Sequence, residues 1–190
     1  MTDSEIVDQN INYKDVETSD YNLIYYTHYL YNNIDSKLRY YIPFNTFEAD
    51  EIMDSIYLGS INSAYDLDQL KKLGITHILS VISGFEAPFP NNFKYLIINA
   101  LDTENTNLFN IFNETNEFID NAIDYGNKVL IHCKAGRSRS VCILAAYLIN
   151  KYGMDVDNVL QFIKSKRNII EPNAGFIKQL NKYYTLKYSP

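Results

Sequence analysis

Residues 129–142 read VLIHCKAGRSRSVC, and this stretch decides the fold that we predict for the whole chain. It begins with an apolar run typical of a buried strand, Gly136 marks a tight turn, and the apolar residues from Val141 to Ile149 predict a helix. A strand, loop and helix joined in this way leave several backbone N–H groups facing one point, where the helix dipole adds roughly half a positive charge. The stretch therefore predicts a binding site for an anion, and phosphate fits such a site best.

Two side chains with useful chemistry lie inside this predicted loop. Cys133 stands at its head, where the field that attracts an anion also favours the thiolate form of cysteine. Arg139 follows six residues later and can hold phosphate oxygens with two N–H groups of its guanidinium. The alternative interpretations are a buried structural cysteine and a surface ion pair. The spacing between the two residues favours a nucleophile inside a phosphate site.

The composition is that of an ordinary globular protein. The 190 residues suffice for one domain with a substantial core and an extension, and hydrophobic and charged residues make up 46% and 21%. No apolar run approaches the length of a membrane span, and the acidic N-terminus does not look like a secretory signal or transit peptide. With two cysteines, one of them in a nucleophilic setting, we expect a reducing compartment. We expect this compartment to be the cytoplasm, and the sequence does not exclude entry into the nucleus.

The charged residues are unevenly distributed along the chain. Residues 1–54 contain eleven acidic and three basic side chains, a balance of −8, whereas residues 55–190 contain twelve acidic and fourteen basic ones, a balance of +2. The second part suits an anionic substrate but is too weakly basic to predict nucleic-acid binding. The three histidines and two cysteines show no spacing typical of a metal site, so we expect no metal and no cofactor.

The part of the chain before residue 55 is interpreted as an N-terminal extension. Residues 1–19 are polar and acidic and predict disorder or loose attachment, and the apolar spacing over about 21–32 predicts a short helix. Eight of the seventeen tyrosines fall within 13–41. We expect the helix to pack on the rest of the chain. A homodimer or partner contact is the alternative, because tyrosine is enriched at interfaces. Residues 40–54, with Pro43 and several acids, look like a connector.

The remaining residues, 55–190, are predicted to form one α/β domain. Apolar runs predict strands at 55–60, 75–82, 93–99 and 129–131. Apolar residues at helical spacing predict helices at 61–73, 107–125, 141–149, 155–167 and 174–184. Strands that alternate with helices indicate a central, mainly parallel sheet flanked by helices. The Cys133 loop then lies at the carboxyl end of a strand, where ligands bind in such sheets.

The motif of His132 and Cys133, then five residues, then Arg139 and Ser140 resembles the active-site loop of cysteine-dependent protein phosphatases. The fuller string HCKAGRSRS resembles the dual-specificity branch of that family. The segments IYLGSINSAYDLDQLKKLGITHILSV, KSKR and EPNAGFIKQL resemble it too, so the likeness covers residues 55–186. It implies a cysteine-phosphatase-like fold. It also implies attack of the Cys133 thiolate on a phosphomonoester, with a phosphocysteine intermediate.

Two residues of the motif, His132 and Ser140, are expected to support the nucleophile. Ser140 can donate a hydrogen bond to the Cys133 sulfur and help it leave, or it can be an ordinary first residue of the helix, and both roles are compatible. His132 is expected to order the loop through a backbone hydrogen bond and to tune the thiol. It points to the other side of the strand, so we do not expect it to act as the base.

The reaction also requires a proton for the leaving alcohol, which the thiolate and Arg139 cannot supply. Asp102 follows a predicted strand at a sheet end and precedes Cys133 by 31 residues, a position that matches the acid of the family that the chain resembles. Glu104 is the second candidate. Asn173 matches a family residue that braces the active-site loop, and its alternative role is to cap the helix that follows.

The loop residues expected to bind the substrate phosphate are Lys134, Ala135, Gly136, Arg137, Ser138 and Arg139. Lys134 and Arg137 are basic where most dual-specificity phosphatases that act on proteins have neutral residues, and they resemble relatives that dephosphorylate phosphoinositides or phosphatidylglycerophosphate. Glu171 also departs from the family pattern, which has a neutral residue before the proline. Elsewhere the sequence is closer to the protein-directed branch.

These observations predict an enzyme that hydrolyses phosphotyrosine and phosphoserine or phosphothreonine in proteins. A phospholipid phosphatase with the same chemistry is the alternative. A pseudophosphatase that binds phosphate groups without cleaving them is the third hypothesis, and the joint presence of Cys133, Arg139 and Asp102 counts against it.

Overall fold

A five-stranded sheet forms the centre of the fold. The computed structural model describes residues 47–188, so the disorder, helix and dimer contact predicted within residues 1–46 lie outside the described residues. The strands are β1 Ala49–Met53, β2 Ile56–Gly59, β3 Ile75–Val81, β4 Lys94–Ile98 and β5 Lys128–His132. Their order is β1-β2-β5-β3-β4, with β1 antiparallel to β2 and all other neighbours parallel. The predicted mainly parallel sheet is confirmed.

Helices cover both faces of this sheet. They are α1 Ile61–Ala64, α2 Leu67–Leu73, α3 Phe112–Asp124, α4 Arg139–Tyr152, α5 Val156–Lys166 and α6 Ala174–Tyr188. The apolar residues of α1 and α2 pack on one face, and those of α3 to α6 pack on the other. Within residues 47–188, every helix falls short of the length and apolarity that a membrane crossing requires.

Strand β5 lies in the middle of the sheet and contributes to both cores. Val129 and Ile131 pack in the larger core with α3 to α6, whereas Leu130 packs in the smaller core with α1 and α2. Successive side chains of a strand point to opposite faces, so a strand covered on both faces needs apolar residues at every position. This explains the continuous apolar run by which the strand was predicted.

Helix α4 is the most deeply buried helix of the larger core. Every residue from Arg139 to Ile149 is buried, which explains why the sequence shows apolar residues on all sides of this helix. The helix ends at Gly153, whose φ of +67° is the left-handed conformation that glycine adopts most easily. The Cys133 loop connects β5, at the centre of the sheet, to α4, in the larger core. Both ends of this loop, the active loop below, are therefore anchored in buried structure.

The sheet begins earlier in the chain than the sequence indicates. The connector interpretation of residues 40–54 is wrong for their second half, where Ala49–Met53 form β1, with Ala49 opposite Gly59. Strand β1 is an edge strand, and its charged residues Asp50 and Glu51 are of the kind that discourages pairing with other chains. Those same charges give the strand the composition of a linker. The ordered domain therefore includes residues ahead of position 55.

Two helices differ in detail from their predictions. The single helix predicted over 61–73 is divided into α1 and α2, because Asp66 accepts a hydrogen bond from the Gln69 N–H at 3.0 Å and caps the second helix. The helix predicted over 107–125 begins as a 3-10 turn at Phe109–Ile111 and continues as α3. The other strands and helices predicted within residues 55–190 are confirmed, with ends shifted by a few residues.

Gly59, the last residue of β2, should not tolerate a side chain. A Cβ at this position would lie 2.8 Å from the Ala49 Cβ and 2.9 Å from the Glu48 carbonyl oxygen. We expect Gly59→Ala to displace β1 and to lower the free energy of unfolding by about 1–3 kcal/mol, as measured by urea denaturation. A double-mutant cycle with Ala49→Gly should show coupling between the two positions. An unchanged unfolding midpoint would contradict the tight packing of β1 on β2.

Candidate active site

The loop between β5 and α4 has all its carbonyl groups bound by partners outside it. The donors are the Ile61 N–H to Lys134 O at 3.1 Å, Arg167 Nη2 to Ala135 O at 3.3 Å, Arg167 Nε to Gly136 O at 2.9 Å, the Glu171 N–H to Arg137 O at 2.7 Å and the Cys142 N–H to Ser138 O at 2.9 Å. The described part of the chain has no cis peptide bonds. In a planar trans peptide, the N–H points opposite to the C=O. The N–H groups of the loop therefore face its interior.

Most of these inward N–H groups have no protein acceptor. Within residues 47–188, no backbone or side-chain oxygen accepts from the N–H groups of Ala135, Gly136, Ser138 or Arg139. The Arg137 N–H instead approaches the sulfur of Cys133. Unpaired donors at the start of a long helix attract an anion. The geometry therefore matches the phosphate site that the sequence predicts.

Cys133 is the first residue of the loop and is 1% exposed. Burial alone would raise the pKa of its thiol. The Ser140 hydroxyl, the backbone N–H groups of Ser140 and Arg137, and the charge of Arg139 outweigh burial and lower this pKa below its ordinary value. The Ser140 Oγ donates to the Cys133 Sγ at 3.2 Å. The environment of the thiol therefore stabilises its thiolate form.

His132, which precedes the thiol, and Cys142, the second cysteine of the chain, are both neutral. Burial lowers the pKa of His132 to about 4, although its hydrogen bond to the Cys133 carbonyl opposes the shift. The carbonyl can only accept, so Nδ1 donates to it at 3.3 Å and Nε2 accepts from the Ser80 Oγ at 2.7 Å. The backbone hydrogen bond expected of His132 is thus present. Burial raises the pKa of Cys142, which packs inside the core as a neutral thiol.

Arg139, the first residue of α4, is 6% exposed. Its Nη1 donates to the Ala100 carbonyl at 3.1 Å. Its Nε lies 3.5 Å from the Asp102 Oδ2 but outside hydrogen-bond geometry, so this buried donor has no hydrogen-bond acceptor among the described residues. An unpaired buried donor costs about 1–3 kcal/mol. A phosphate oxygen bound by Arg139 would remove that cost.

Asp102 follows β4 and lies against the active loop. Its Oδ1 accepts from the Ser138 Oγ at 2.7 Å and from the Asn173 Nδ2 at 2.9 Å. Asn173 also accepts, through Oδ1, from the Phe176 N–H at 3.0 Å. Asn173 thus caps α6 through one amide atom and contacts Asp102 through the other, and its backbone N–H donates to the Ser138 Oγ of the loop at 3.2 Å. The structure thus brings together Asp102, the loop and the start of α6.

The segment that carries Asp102 is fastened to α6 by Gln179, a residue that the sequence analysis did not single out. The Gln179 Oε1 accepts from the Leu108 and Phe109 N–H groups at 2.8 and 2.9 Å, and its Nε2 donates to the Thr106 carbonyl at 2.9 Å. One amide group thus satisfies three backbone groups of a segment that has no regular structure of its own. These bonds hold the segment in a fixed position relative to the loop.

Gly175 lets the same segment approach α6 closely. A Cβ at Gly175 would lie 2.1 Å from the Glu104 carbonyl oxygen, so no larger residue fits without moving the segment. The side chain of Glu104 is exposed and makes no hydrogen bond or ion pair within residues 47–188. Of the two candidate acids, the structure therefore brings only Asp102 into contact with the active loop.

Arg167, which the sequence analysis also did not assign, supports the loop from behind. Its guanidinium is 5% exposed, donates to the Ala135 and Gly136 carbonyls and pairs with the Asp50 carboxylate at 2.6 Å. Gly136 has a φ of +64°, and a Cβ there would lie 2.5 Å from the Gly59 carbonyl oxygen and 2.9 Å from the Arg167 Nη2. Glycine therefore allows both the turn and the close contact with the arginine.

Among the residues expected to bind phosphate, Arg137 has a side chain that bonds to residues outside the loop. Its Nε donates to the Ile169 carbonyl at 3.1 Å, and its guanidinium forms an ion pair with Glu171. The Arg137 side chain is thus engaged with the connection between α5 and α6. Lys134 is half-buried.

No group of His, Cys, Asp and Glu side chains within residues 47–188 could hold a metal ion.

A thiolate held beside a set of inward N–H donors can attack the phosphorus of a phosphomonoester bound by those donors. A neighbouring carboxyl group can exchange protons with the leaving group. The class of protein defined by this fold and this site is the cysteine-dependent phosphatases.

Comparison with known sequences identifies the family. The model of the dual specificity phosphatase catalytic domain matches residues 56–186. Dual specificity protein phosphatase 1 of Arabidopsis thaliana is 42% identical over 153 residues, which covers 78% of this chain and 77% of that protein. A Slingshot protein phosphatase homolog of Xenopus laevis is 42% identical over 133 residues, which covers 70% of this chain but 19% of that protein. The chain belongs to the dual specificity phosphatase family.

Solved structures agree with this assignment. One match is the crystal structure of a human tyrosine phosphatase-like serine/threonine/tyrosine-interacting protein, with a TM-score of 0.73 and 34% sequence identity. The match covers 76% of this chain and 100% of the human chain. The crystal structure of DUSP15 has a TM-score of 0.71 and 34% identity, covering 76% of this chain and 92% of that one. The predicted fold class and the predicted activity as a cysteine-dependent protein phosphatase are confirmed.

The Ser140 hydroxyl gives a prediction about the thiol itself. Removing this donor in Ser140→Ala should raise the pKa of Cys133, since the hydrogen bond favours the thiolate. The thiolate fraction grows as pH rises through the pKa, so the rate of alkylation by iodoacetamide should follow a pH curve displaced to higher pH. Ser165→Ala, an exposed serine in α5, is the control and should leave the curve in place. Coincident curves for all three proteins would contradict this assignment.

Proposed function

We propose that this enzyme removes phosphate from phosphotyrosine and from phosphoserine or phosphothreonine in proteins, with Cys133 as the nucleophile. Arg139 and the loop N–H groups bind the phosphoryl group, and Asp102 acts as acid and then as base. The observation that carries the proposal is that one loop contacts both groups, since the Ser140 Oγ donates to the Cys133 sulfur and the Ser138 Oγ donates to Asp102.

The first chemical step transfers the phosphoryl group to the enzyme. The Cys133 thiolate attacks phosphorus, the new S–P bond forms and the P–O bond to the substrate breaks. Asp102 gives its proton to the departing oxygen, which leaves as the neutral alcohol or phenol. The N–H groups of the loop and the Arg139 guanidinium stabilise the negative charge on the remaining phosphoryl oxygens.

The second step releases inorganic phosphate. The Asp102 carboxylate takes a proton from a water molecule, whose oxygen attacks phosphorus as the S–P bond breaks. The electron pair of that bond returns to Cys133, where the Ser140 hydroxyl stabilises the departing thiolate by hydrogen bonding. The enzyme is then ready for another cycle with Asp102 protonated. No cofactor takes part in either step.

Protein substrates are favoured over the phosphoinositide alternative by the relatives, which are named protein phosphatases. The charge distribution supports the same choice. Arg137, one of the two basic residues that suggested a lipid substrate, is paired with Glu171. A binding-only function is less well supported, because the nucleophile, the arginine and the acid are all present and in contact with one loop.

The compartment and the domain boundary are further parts of the proposal. A thiolate nucleophile without a disulfide framework is suited to a reducing environment such as the cytoplasm. We place the start of the catalytic domain at β1, because Asp50 in this strand holds the arginine that supports the active loop.

The central test is phosphate release from a phosphotyrosine peptide, a phosphoserine peptide and a soluble phosphoinositide. The wild-type enzyme should hydrolyse the peptides faster than the phosphoinositide. Cys133→Ser should lose turnover of all three by several orders of magnitude, because it lacks the thiolate nucleophile, yet still bind phosphate analogues. Cys142→Ser, the matched change at the other cysteine, should remain active. Turnover by Cys133→Ser would refute the mechanism, and a clear preference for the phosphoinositide would refute the substrate class.

Asp102 is tested by substrates that differ in their leaving groups. Asp102→Ala should slow the hydrolysis of alkyl phosphates by about 10²–10⁴-fold and that of aryl phosphates much less, because phenolate leaves without full protonation. Steady-state turnover on a matched alkyl and aryl pair measures the difference. Glu104→Ala is the control and should affect neither substrate strongly. Equal losses on both substrates in Asp102→Ala would assign the acid role to another residue.

A further inference from the structure

The rim of the active site contains an ion pair that the catalytic steps do not use. Arg137 lies in the loop, with its N–H toward the Cys133 sulfur, but its guanidinium pairs outward with Glu171. Both side chains are accessible, with 51% of Arg137 and 74% of Glu171 exposed. A second bond from the Arg137 Nε to the Ile169 carbonyl and a third from the Glu171 N–H to the Arg137 carbonyl fix the pair in place.

Two other arginines at this loop also have a carboxylate beside them. Arg139 lies 3.5 Å from Asp102, and Arg167 pairs with Asp50 at 2.6 Å. These two guanidinium groups are buried, and the mechanism or the loop support accounts for each of them. Arg137 is the exposed member of the three, so its charge is the one that groups on a bound substrate can approach.

We propose that Glu171 is a specificity-determining residue, which masks the charge of Arg137 so that the site accepts phosphopeptides without selecting acidic residues next to the phosphorylated one. The inference rests on the proposed function, since it concerns the substrates of the same site. Glu171 touches no reacting atom and acts through Arg137.

The distances and charges support this role. Arg137 belongs to the loop proposed to bind the phosphate, and its guanidinium is exposed at the rim of that loop. Exposed charges interact over about a Debye length (~8 Å at physiological ionic strength). An unmasked positive charge at that range attracts carboxylates or a second phosphate on the peptide. An opposite charge fixed against the guanidinium cancels most of this attraction.

The test compares two phosphotyrosine peptides that differ only in having acidic or neutral residues beside the phosphotyrosine. Glu171→Gln keeps an oxygen that can accept from Arg137 but removes the charge. We expect it to raise the ratio of kcat/KM for the acidic over the neutral peptide by about two- to five-fold relative to wild type, in the range of exposed charge pairs. The gain should disappear in about 1 M salt, where the Debye length falls to about 3 Å.

Two controls separate masking from a structural role. Glu117→Gln makes the same change at an exposed glutamate of α3 and should leave the peptide ratio at the wild-type value. Glu171→Gln combined with Arg137→Gln should return the ratio to the wild-type value, because the charge that Glu171 masks is gone. A ratio measured within one variant does not depend on the fraction of protein that is folded.

The outcomes distinguish this inference from the proposed function. An unchanged peptide ratio in Glu171→Gln would overturn the inference, as would a loss of turnover on both peptides with the ratio unchanged. A gain on inositol phosphates without a gain on the acidic peptide would overturn the assignment to peptides. If the wild type hydrolyses neither peptide, the proposed function fails. Binding of both peptides to Cys133→Ser, with and without Glu171→Gln, then decides whether Glu171 masks the charge.

Discussion

The active site depends on the outward direction of the loop carbonyl groups. Each carbonyl from Lys134 to Ser138 is bound by a donor outside the loop, and the planar peptide then turns the next N–H inward. The donors come from α1, from α4 and from the connection between α5 and α6. The buried Arg167 supplies two of these bonds and is itself held by Asp50, 117 residues earlier in the chain. An edge strand that is distant in sequence from Cys133 thus helps to orient the loop, through the ion pair of Asp50 with Arg167.

The parts of this site that lie close together in sequence could be predicted from it. The strand, turn and helix around Cys133 follow from periodicity, and the bond from Ser140 to the sulfur follows from residue type and spacing. Asp102 could be placed because it follows a strand at the same sheet edge. By contrast, the supporting contacts of Arg167, Gln179 and Ser80 span 31 to 117 residues. They depend on the sheet order and on the path of α6, which no local pattern contains. Strand β1 was missed because its charges, which suit an exposed edge, resemble those of a linker.

Helix α6 holds the segment that carries Asp102 in the way that Arg167 holds the loop. Asn173 contacts Asp102, Gly175 allows the segment to lie against the helix, and Gln179 satisfies three of its backbone groups. The segment from Asp102 to Phe109 has little regular structure, so these contacts replace the hydrogen bonds that a helix or strand would provide. These contacts fix the position of Asp102 within the fold, so the proton transfer that we propose for it requires little reorganisation. The loop and the acid meet at Ser138, whose hydroxyl donates to Asp102 and accepts from the Asn173 N–H.

Charges counted along the sequence overstate the positive charge that a substrate meets at this site. The loop contains Lys134, Arg137 and Arg139 and is supported by Arg167, yet the guanidinium groups of Arg137 and Arg167 are paired with the carboxylates of Glu171 and Asp50. The inward N–H groups and the Arg139 Nε, which has no hydrogen-bond acceptor of its own within the described chain, are the donors that a phosphate group can use. Such donors are directional and serve one phosphate at one position, whereas free cations would also attract neighbouring anionic groups. A site built in this way recognises the phosphomonoester itself and leaves the choice among substrates to its rim.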